Sequence, residues 1–302
     1  MHLITAQEVA GLNPAEVTFF LLIQFTLKIK SCFLLIFVLT FFTTCEKKNI
    51  EIEITRLSKK INETSGLEII DGNFITLNDS GDDPALYTFI KSGKNLSKIL
   101  IKGAQNKDWE SLALDDKYIY IGDIGNNKGN RRDLKIYLTD LEFKLVDSIN
   151  FNYKNQSKFK KKKKNKFDAE ALVSLNDSLI IFSKNRKKLT TEGYALPKTP
   201  GSYSIKPKYS FDVDALITGG DYNSKLDLLA LVGYSYSIKK QYLFLIDKFS
   251  YKTSKDSVFA KHEIPITNAQ IEAIKIIDEK NYWLTSENEG DGYPKLIRLR
   301  LK

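Results

Sequence analysis

The 302-residue chain carries 46 Lys and Arg against 37 Asp and Glu, a net charge of +9, and 42% of its residues are hydrophobic. With only two cysteines (Cys32, Cys45) and two histidines (His2, His262), it cannot build a disulfide framework, a Cys- or His-rich zinc site or a multi-His centre. Any metal it holds must be a hard cation bound through oxygen, Ca2+ first among them.

In chain order, residues 27–45 read LKIKSCFLLIFVLTFFTTC. Lys28 and Lys30 form a basic start, and Cys32 to Phe42 is an apolar run of signal-peptide length, too short to span a bilayer. Thr43 and Thr44 then lead to Cys45, a pattern that resembles a bacterial lipobox. Residues 1–44 are expected to be a cleaved leader, Cys45 the lipidated residue, and 45–49 a tether. Acyl chains give membrane affinity of roughly 0.8 kcal/mol per buried CH2. The expected location is therefore extracytoplasmic and lipid-anchored, periplasmic or at the outer-membrane surface. The segment 1–26, with its own apolar run from Val17 to Ile23, is longer than a signal needs and suggests a true start codon further downstream. Removing 44 residues leaves 302 − 44 = 258, within reach of one all-β domain.

Five segments of the body share one grammar, beginning at Glu63, Asp108, Asp168, Asp212 and Gln270. Two polar or acidic residues stand two apart. A small residue follows (Gly66, Ser111, Ala171, Ala215, Ala273), then an aliphatic one (Leu67, Leu112, Leu172, Leu216, Ile274). A turn signal and an apolar run come next, so each unit reads as a β-hairpin. Two more strands follow most units, for example ALYTFIK and SKILIKG after the first, and GYALPK and SYSIKPKYS after the third. Four strands recurring at about 50 residues are the signature of propeller blades. The fold expected for residues 50–302 is an all-β propeller of five four-stranded blades, with six as the alternative. The last unit has only one strand after its hairpin, so IEIEITRL (Ile50 to Leu57) is expected to supply the fourth and close the ring.

Residues two apart in a strand point the same way. Inner-strand starts therefore gather Asp108 and Glu110, Asp168 and Glu170, Asp212 and Asp214, Glu63 and Glu272 on one face. The second strand of each hairpin returns to that face, bringing Asp79, Asp123, Lys184 and Glu287. Carboxylates this close need a compensator, either a divalent cation or the nearby Lys184, Arg186, Lys187 and Lys188. The candidate metal ligands are Asp79, Asp108, Glu110, Asp123, Asp168, Glu170, Asp212, Asp214 and Glu272. Glu110 and Glu170 are the candidate bases if the face is catalytic. His262 is expected to be a strand or loop surface residue.

The run KFKKKKKNK holds seven lysines between Lys158 and Lys166, and is expected to be a mobile solvated loop on the same face. No aromatic-interleaved basic stripe or nucleic-acid module accompanies it, so DNA and RNA are not expected partners. The glycine-rich GDIGNNKGN lacks a P-loop Lys-Ser/Thr and reads as a loop after a strand.

The segments NDSGD, DWESLALDDKYIYIGDIGNNKGNR and DAEAL resemble a family of secreted bacterial propeller proteins of unassigned function, many of them lipoproteins. More distantly, the acid-ringed repeats are similar to gluconolactonase, paraoxonase and phytase-like esterase propellers. That likeness implies a channel Ca2+ held by carboxylate and amide oxygens. Two functions are expected. One is an extracytoplasmic binding or scaffold module for protein or glycan, monomeric and membrane-tethered. The alternative is a Ca2+-dependent hydrolase of lactones, esters or phosphoesters.

Overall fold

The computed structural model describes residues 50–236, 240–251, 259–267, 269–288 and 292–302. The leader, Cys45 and the tether lie outside the described residues. Among those described, no helix is long and apolar enough to cross a membrane.

The described chain forms five sheets, each built on four antiparallel strands. Blade one is β2 (Thr64–Ile70), β3 (Asn73–Asn78), β4 (Ala85–Phe89) and β5 (Ser97–Leu100). Blade two is β6 (Trp109–Leu114), β7 (Ile119–Asp123), β8 (Lys135–Thr139) and β9 (Leu145–Tyr153). Blade three is β10 (Ala169–Leu175), β11 (Ser178–Ser183), β12 (Thr191–Pro197) and β14 (Pro207–Phe211). Blade four is β15 (Leu216–Asn223), β16 (Leu228–Tyr234), β17 (Gln241–Asp247) and β18 (Ala260–Ile264). Blade five is β19 (Ile271–Ile276), β20 (Asn281–Ser286) and β21 (Lys295–Leu301), completed by β1 (Ile50–Arg56) on the outside. Inner strands β2, β6, β10, β15 and β19 touch in sequence, and β19 touches β2, so the ring is closed. The expected five-bladed propeller and its closing strand are both present.

Burial explains why these sequences form blades. Each of the five hydrophobic clusters lies between two neighbouring blades. A blade therefore needs apolar side chains on both faces of its central strands, which is why LIIF in β11 and LLALV in β16 read as continuous apolar runs. Asp71 and Gly72 take φ of +48° and +78° at the β2–β3 turn, the signature of a two-residue type I′ hairpin.

Two expectations are corrected. The stretch SYSIKPKYS is not one outer strand. It divides before Pro207, and β13 (Gly201–Ile205) pairs in parallel with β9 of blade two, while β14 completes blade three. Proline lacks an N–H, so a strand that must donate to a neighbour breaks there. The fourth unit is also displaced by four residues. Every inner strand has a register irregularity at one level, at Trp109/Ser111, Ala169/Ala171, Ile271/Ala273 and Ser65/Glu68. In blade four it falls at Ile217/Gly219. The small residue of that unit is thus Gly219, not Ala215, because a Cβ on Gly219 would lie 2.6 Å from the Glu272 carbonyl oxygen.

Candidate functional site

The irregularity in each inner strand is a bulge, and a bulge re-aims one side chain. The bulged residues of blades two to five are Glu110, Glu170, Thr218 and Glu272. Three of the four are carboxylates, and each is 4% exposed. The bulges also stitch neighbouring blades together. Ser65 Oγ donates to the Glu110 carbonyl (2.6 Å), Thr218 Oγ1 donates to the Ile271 carbonyl (2.6 Å), and Leu172 N donates to Ser111 Oγ (3.1 Å).

The predicted ring of acids separates into parts with different fates. Asp168 and Glu170 are neutralised. Arg186 Nε lies 3.0 Å from Asp168 Oδ2, and its Nη2 lies 3.4 Å from Glu170 Oε1. The buried Lys184 ammonium pairs with Glu170 Oε2 and sits 5.2 Å from the Tyr234 ring centroid. Burial pushes the Glu170 carboxyl up to about 7 against the pull of these cations. Asp123 is neutralised as well, by Arg131 Nη2 at 2.8 Å, and accepts the Asp108 amide at 3.1 Å. It braces the Asp108 backbone and, among the described residues, is not one that converges on a cation position. Glu272 accepts from Gln270 Nε2, and burial raises its carboxyl well above the usual range.

Asp79, Asp108 and Glu110 come together instead. Each offers a carboxylate oxygen within 4.8 Å of those of the other two, a spacing that two Ca–O bonds of about 2.4 Å can span. Glu110 Oε1 is buried and accepts no hydrogen bond. Burial first, then the charge of Asp79, pushes Glu110 well above the usual carboxylate range and Asp108 up to about 7. Asp79 is raised too, by burial. Glu287 is raised to about 8 by burial and then by Glu63. These are the signs of a carboxylate cluster short of positive charge.

The floor of this cluster is Gly125. A Cβ there would fall 2.3 Å from Glu110 Oε1 and 2.5 Å from Asp108 Oδ2. Its amide donates to the Asp108 carbonyl at 3.1 Å. The GDIGNN loop is glycine-rich at this point because its backbone lies directly against two carboxylates.

Asp212 and Asp214 do not join. Both are exposed in the link between β14 and β15, with Asp214 at φ +48°. Thr218 occupies the place assigned to them, a consequence of the four-residue displacement. His262 sits half-buried in the outer strand β18, opposite Leu243, and burial pulls its pKa down.

A second charged group was not foreseen. Lys275 Nζ lies 2.5 Å from Glu68 Oε2 and 3.0 Å from Asp221 Oδ1, tying blades five, one and four together one level deeper along the inner strands. Asp221 also accepts the Ile276 amide at 2.8 Å. The signal was present as a charged residue in the middle of three apolar inner strands.

The lysine-rich loop is tied down at this face. Lys162 N donates to the Lys128 carbonyl at 2.7 Å, and Gln156 Nε2 to the Gly129 carbonyl at 2.8 Å. The buried Asn165 Nδ2 reaches the carbonyls of Asn126 and Asn127 at 3.3 and 3.1 Å. Its lysines are solvated as expected, but instead of ranging freely the loop is fastened at Gln156, Lys162 and Asn165 to the same loop that carries Gly125.

No protein-family model matches the sequence, and no curated protein matches it significantly. Solved structures do. Glutaminyl cyclase from Myxococcus xanthus is similar over 84% of this chain and 96% of its own, with a TM-score of 0.52 at 12% identity. The PQQ-bound aldose sugar dehydrogenase from Streptomyces coelicolor is similar over 85% and 99%, with a TM-score of 0.51 at 11% identity. The likeness is one of fold. Both neighbours are bacterial β-propeller proteins, in agreement with the blade architecture described above.

Proposed function

We propose that the protein is a lipid-anchored, extracytoplasmic propeller module that binds a hard divalent cation, Ca2+, through Asp79, Asp108 and Glu110, and presents it to a protein or glycan ligand. The observation that carries this reading is the buried Glu110 Oε1, which accepts no hydrogen bond inside a three-carboxylate cluster. A buried carboxyl oxygen without a partner is costly, whether it stays charged or is driven to the neutral form, and a divalent cation at that point would satisfy it. Ca2+ takes six to eight oxygens. Three carboxylates supply between three and six of them, which leaves positions for hydroxyl or carboxylate oxygens of a ligand.

Calorimetric titration of the chelator-stripped full-length protein with CaCl2 tests this. One tight site in the wild type, absent in Glu110→Gln, is the expected result. Equal heats in both proteins would remove the cation from the account.

A Ca2+-dependent hydrolase of lactone, ester or phosphoester substrates is the second reading. It is favoured by Glu170, whose carboxyl sits near neutrality beside the same cluster and so has a proton affinity suited to a general base. Glu110 would then be a ligand and not a base. Turnover of an aryl ester or lactone that needs Ca2+ and is lost in Glu170→Gln would support it.

A further inference from the structure

The lysine loop adds a statement about the ligand's charge. Lys158 and Lys160 to Lys164 are exposed, and among the described residues none of them is paired with a carboxylate. Exposed Lys128, Arg132, Lys187 and Lys188 stand on the same face. The Arg132 guanidinium covers the Phe159 ring at 3.8 Å, and Lys164 Nζ lies 6.0 Å from the ring centroid of Tyr236 in blade four. The loop thus borders the mouth that holds the carboxylate cluster, fastened there through Asn165 and Gln156.

Strand direction decides what this loop can meet. In blade two, Asp123 is paired with Trp109, and β9 ends at Tyr153 on the same face, so the loop 154–168 leaves from the face of the carboxylate cluster. In blade five, Arg56 pairs with Lys295 and Ser286 with Ile271, which places Arg56 on that face too. Ile50, at the other end of β1, pairs with Leu301 on the opposite face. β1 therefore begins about 20 Å of strand, at about 3.3 Å per residue, from the face on which the lysines lie. The Debye length at physiological salt is about 8 Å, so charges met at the Ile50 end of β1 lie beyond the electrostatic reach of the loop.

We infer that the loop is a docking surface for an anionic glycan, a polysaccharide bearing carboxylate or phosphate groups, and not for the headgroups of the anchoring bilayer. The inference rests on the proposed channel-mouth docking only for where the glycan sits. The lysines neutralise repeated anionic groups along the polymer, and one group reaches the cation at the mouth.

The probe is polygalacturonate, with neutral dextran and phosphatidylglycerol vesicles beside it. Binding is measured for the full-length wild type, for Lys160→Gln/Lys161→Gln/Lys163→Gln/Lys164→Gln, and for Glu110→Gln, each in Ca2+ and in chelator. Wild type is expected to bind polygalacturonate at least tenfold more tightly at 50 mM than at 300 mM salt, and dextran not at all. The lysine variant is expected to bind at least tenfold more weakly in both Ca2+ and chelator. Glu110→Gln is expected to lose only the Ca2+-dependent part. If that variant matches wild type while the lysine variant fails, the docking surface stands and the cation reading falls. A lysine variant with wild-type affinity would overturn the inference, as would tighter loop-dependent binding to vesicles than to the polymer.

Discussion

Replacing Asp108 by Asn should make the calcium-free protein more stable. The Asp108 side chain makes no hydrogen bond among the described residues, because its contacts are made by its backbone N–H and carbonyl. Asn therefore sacrifices no bond and removes one charge from a crowded cluster. Burial and then Asp79 raise this carboxyl from 3.8 to about 7. At 1.36 kcal/mol per pH unit, that difference of about 3 sets a ceiling of roughly 4 kcal/mol. The sign follows from linkage. A carboxyl raised in the folded state disfavours folding as pH climbs above its unfolded value, and the cost levels off above its folded value. The advantage of Asp108→Asn should be absent at pH 4 or below, grow through pH 5 to 7 and be constant above. We expect a gain of roughly 2–4 kcal/mol at pH 8, or about 4–16 °C for a domain of this size. Urea unfolding in chelator at pH 4, 6 and 8, followed by tryptophan fluorescence, reads it directly. A variant no more stable than wild type at pH 8 would refute the claim that this cluster lacks a compensating cation.

Three further outcomes are expected. Gly125→Ala should abolish Ca2+ binding by calorimetry, because the added methyl occupies the space of the Glu110 and Asp108 carboxylates, while the far-UV spectrum stays that of a folded all-β protein. Lys275→Met should cost about 3–5 kcal/mol in urea unfolding, since it leaves Glu68 and Asp221 charged and buried without a cation; adding Glu68→Gln and Asp221→Asn to it should recover most of the loss. Asp212→Asn/Asp214→Asn should bind Ca2+ with wild-type affinity, since both side chains are exposed outside the cluster.

The blades were legible because each hairpin announces itself twice, by a turn signal such as Asp71-Gly72 and by an apolar run after it. The closing role of Ile50–Arg56 followed from counting strands, since a ring of blades cannot leave one edge open. The failures came where spacing stood in for register. DVDAL looks like DAEAL, but the close approach of β15 to β19 demands glycine at position 219, and this constraint acts across blades and is invisible along one. The acid ring looks uniform in the sequence, which does not tell which carboxylates lie within reach of Lys184, Arg186 and Arg131. Those three bases neutralise Glu170, Asp168 and Asp123 and leave Asp79, Asp108 and Glu110 as the group in need of charge. The role of Gly125 was hidden for a related reason. A loop glycine reads as a turn, and only the fold reveals the carboxylates pressed against it.

The central claim is that a hard cation sits among three named carboxylates. Crystals of the protein grown in CaCl2, with diffraction data collected at long wavelength, test it most directly through the anomalous signal of calcium. The account predicts one anomalous peak about 2.4 Å from an oxygen of each of Asp79, Asp108 and Glu110, absent from crystals of Glu110→Gln. A well-ordered channel mouth with no peak there, or with a peak held by other residues, would contradict it.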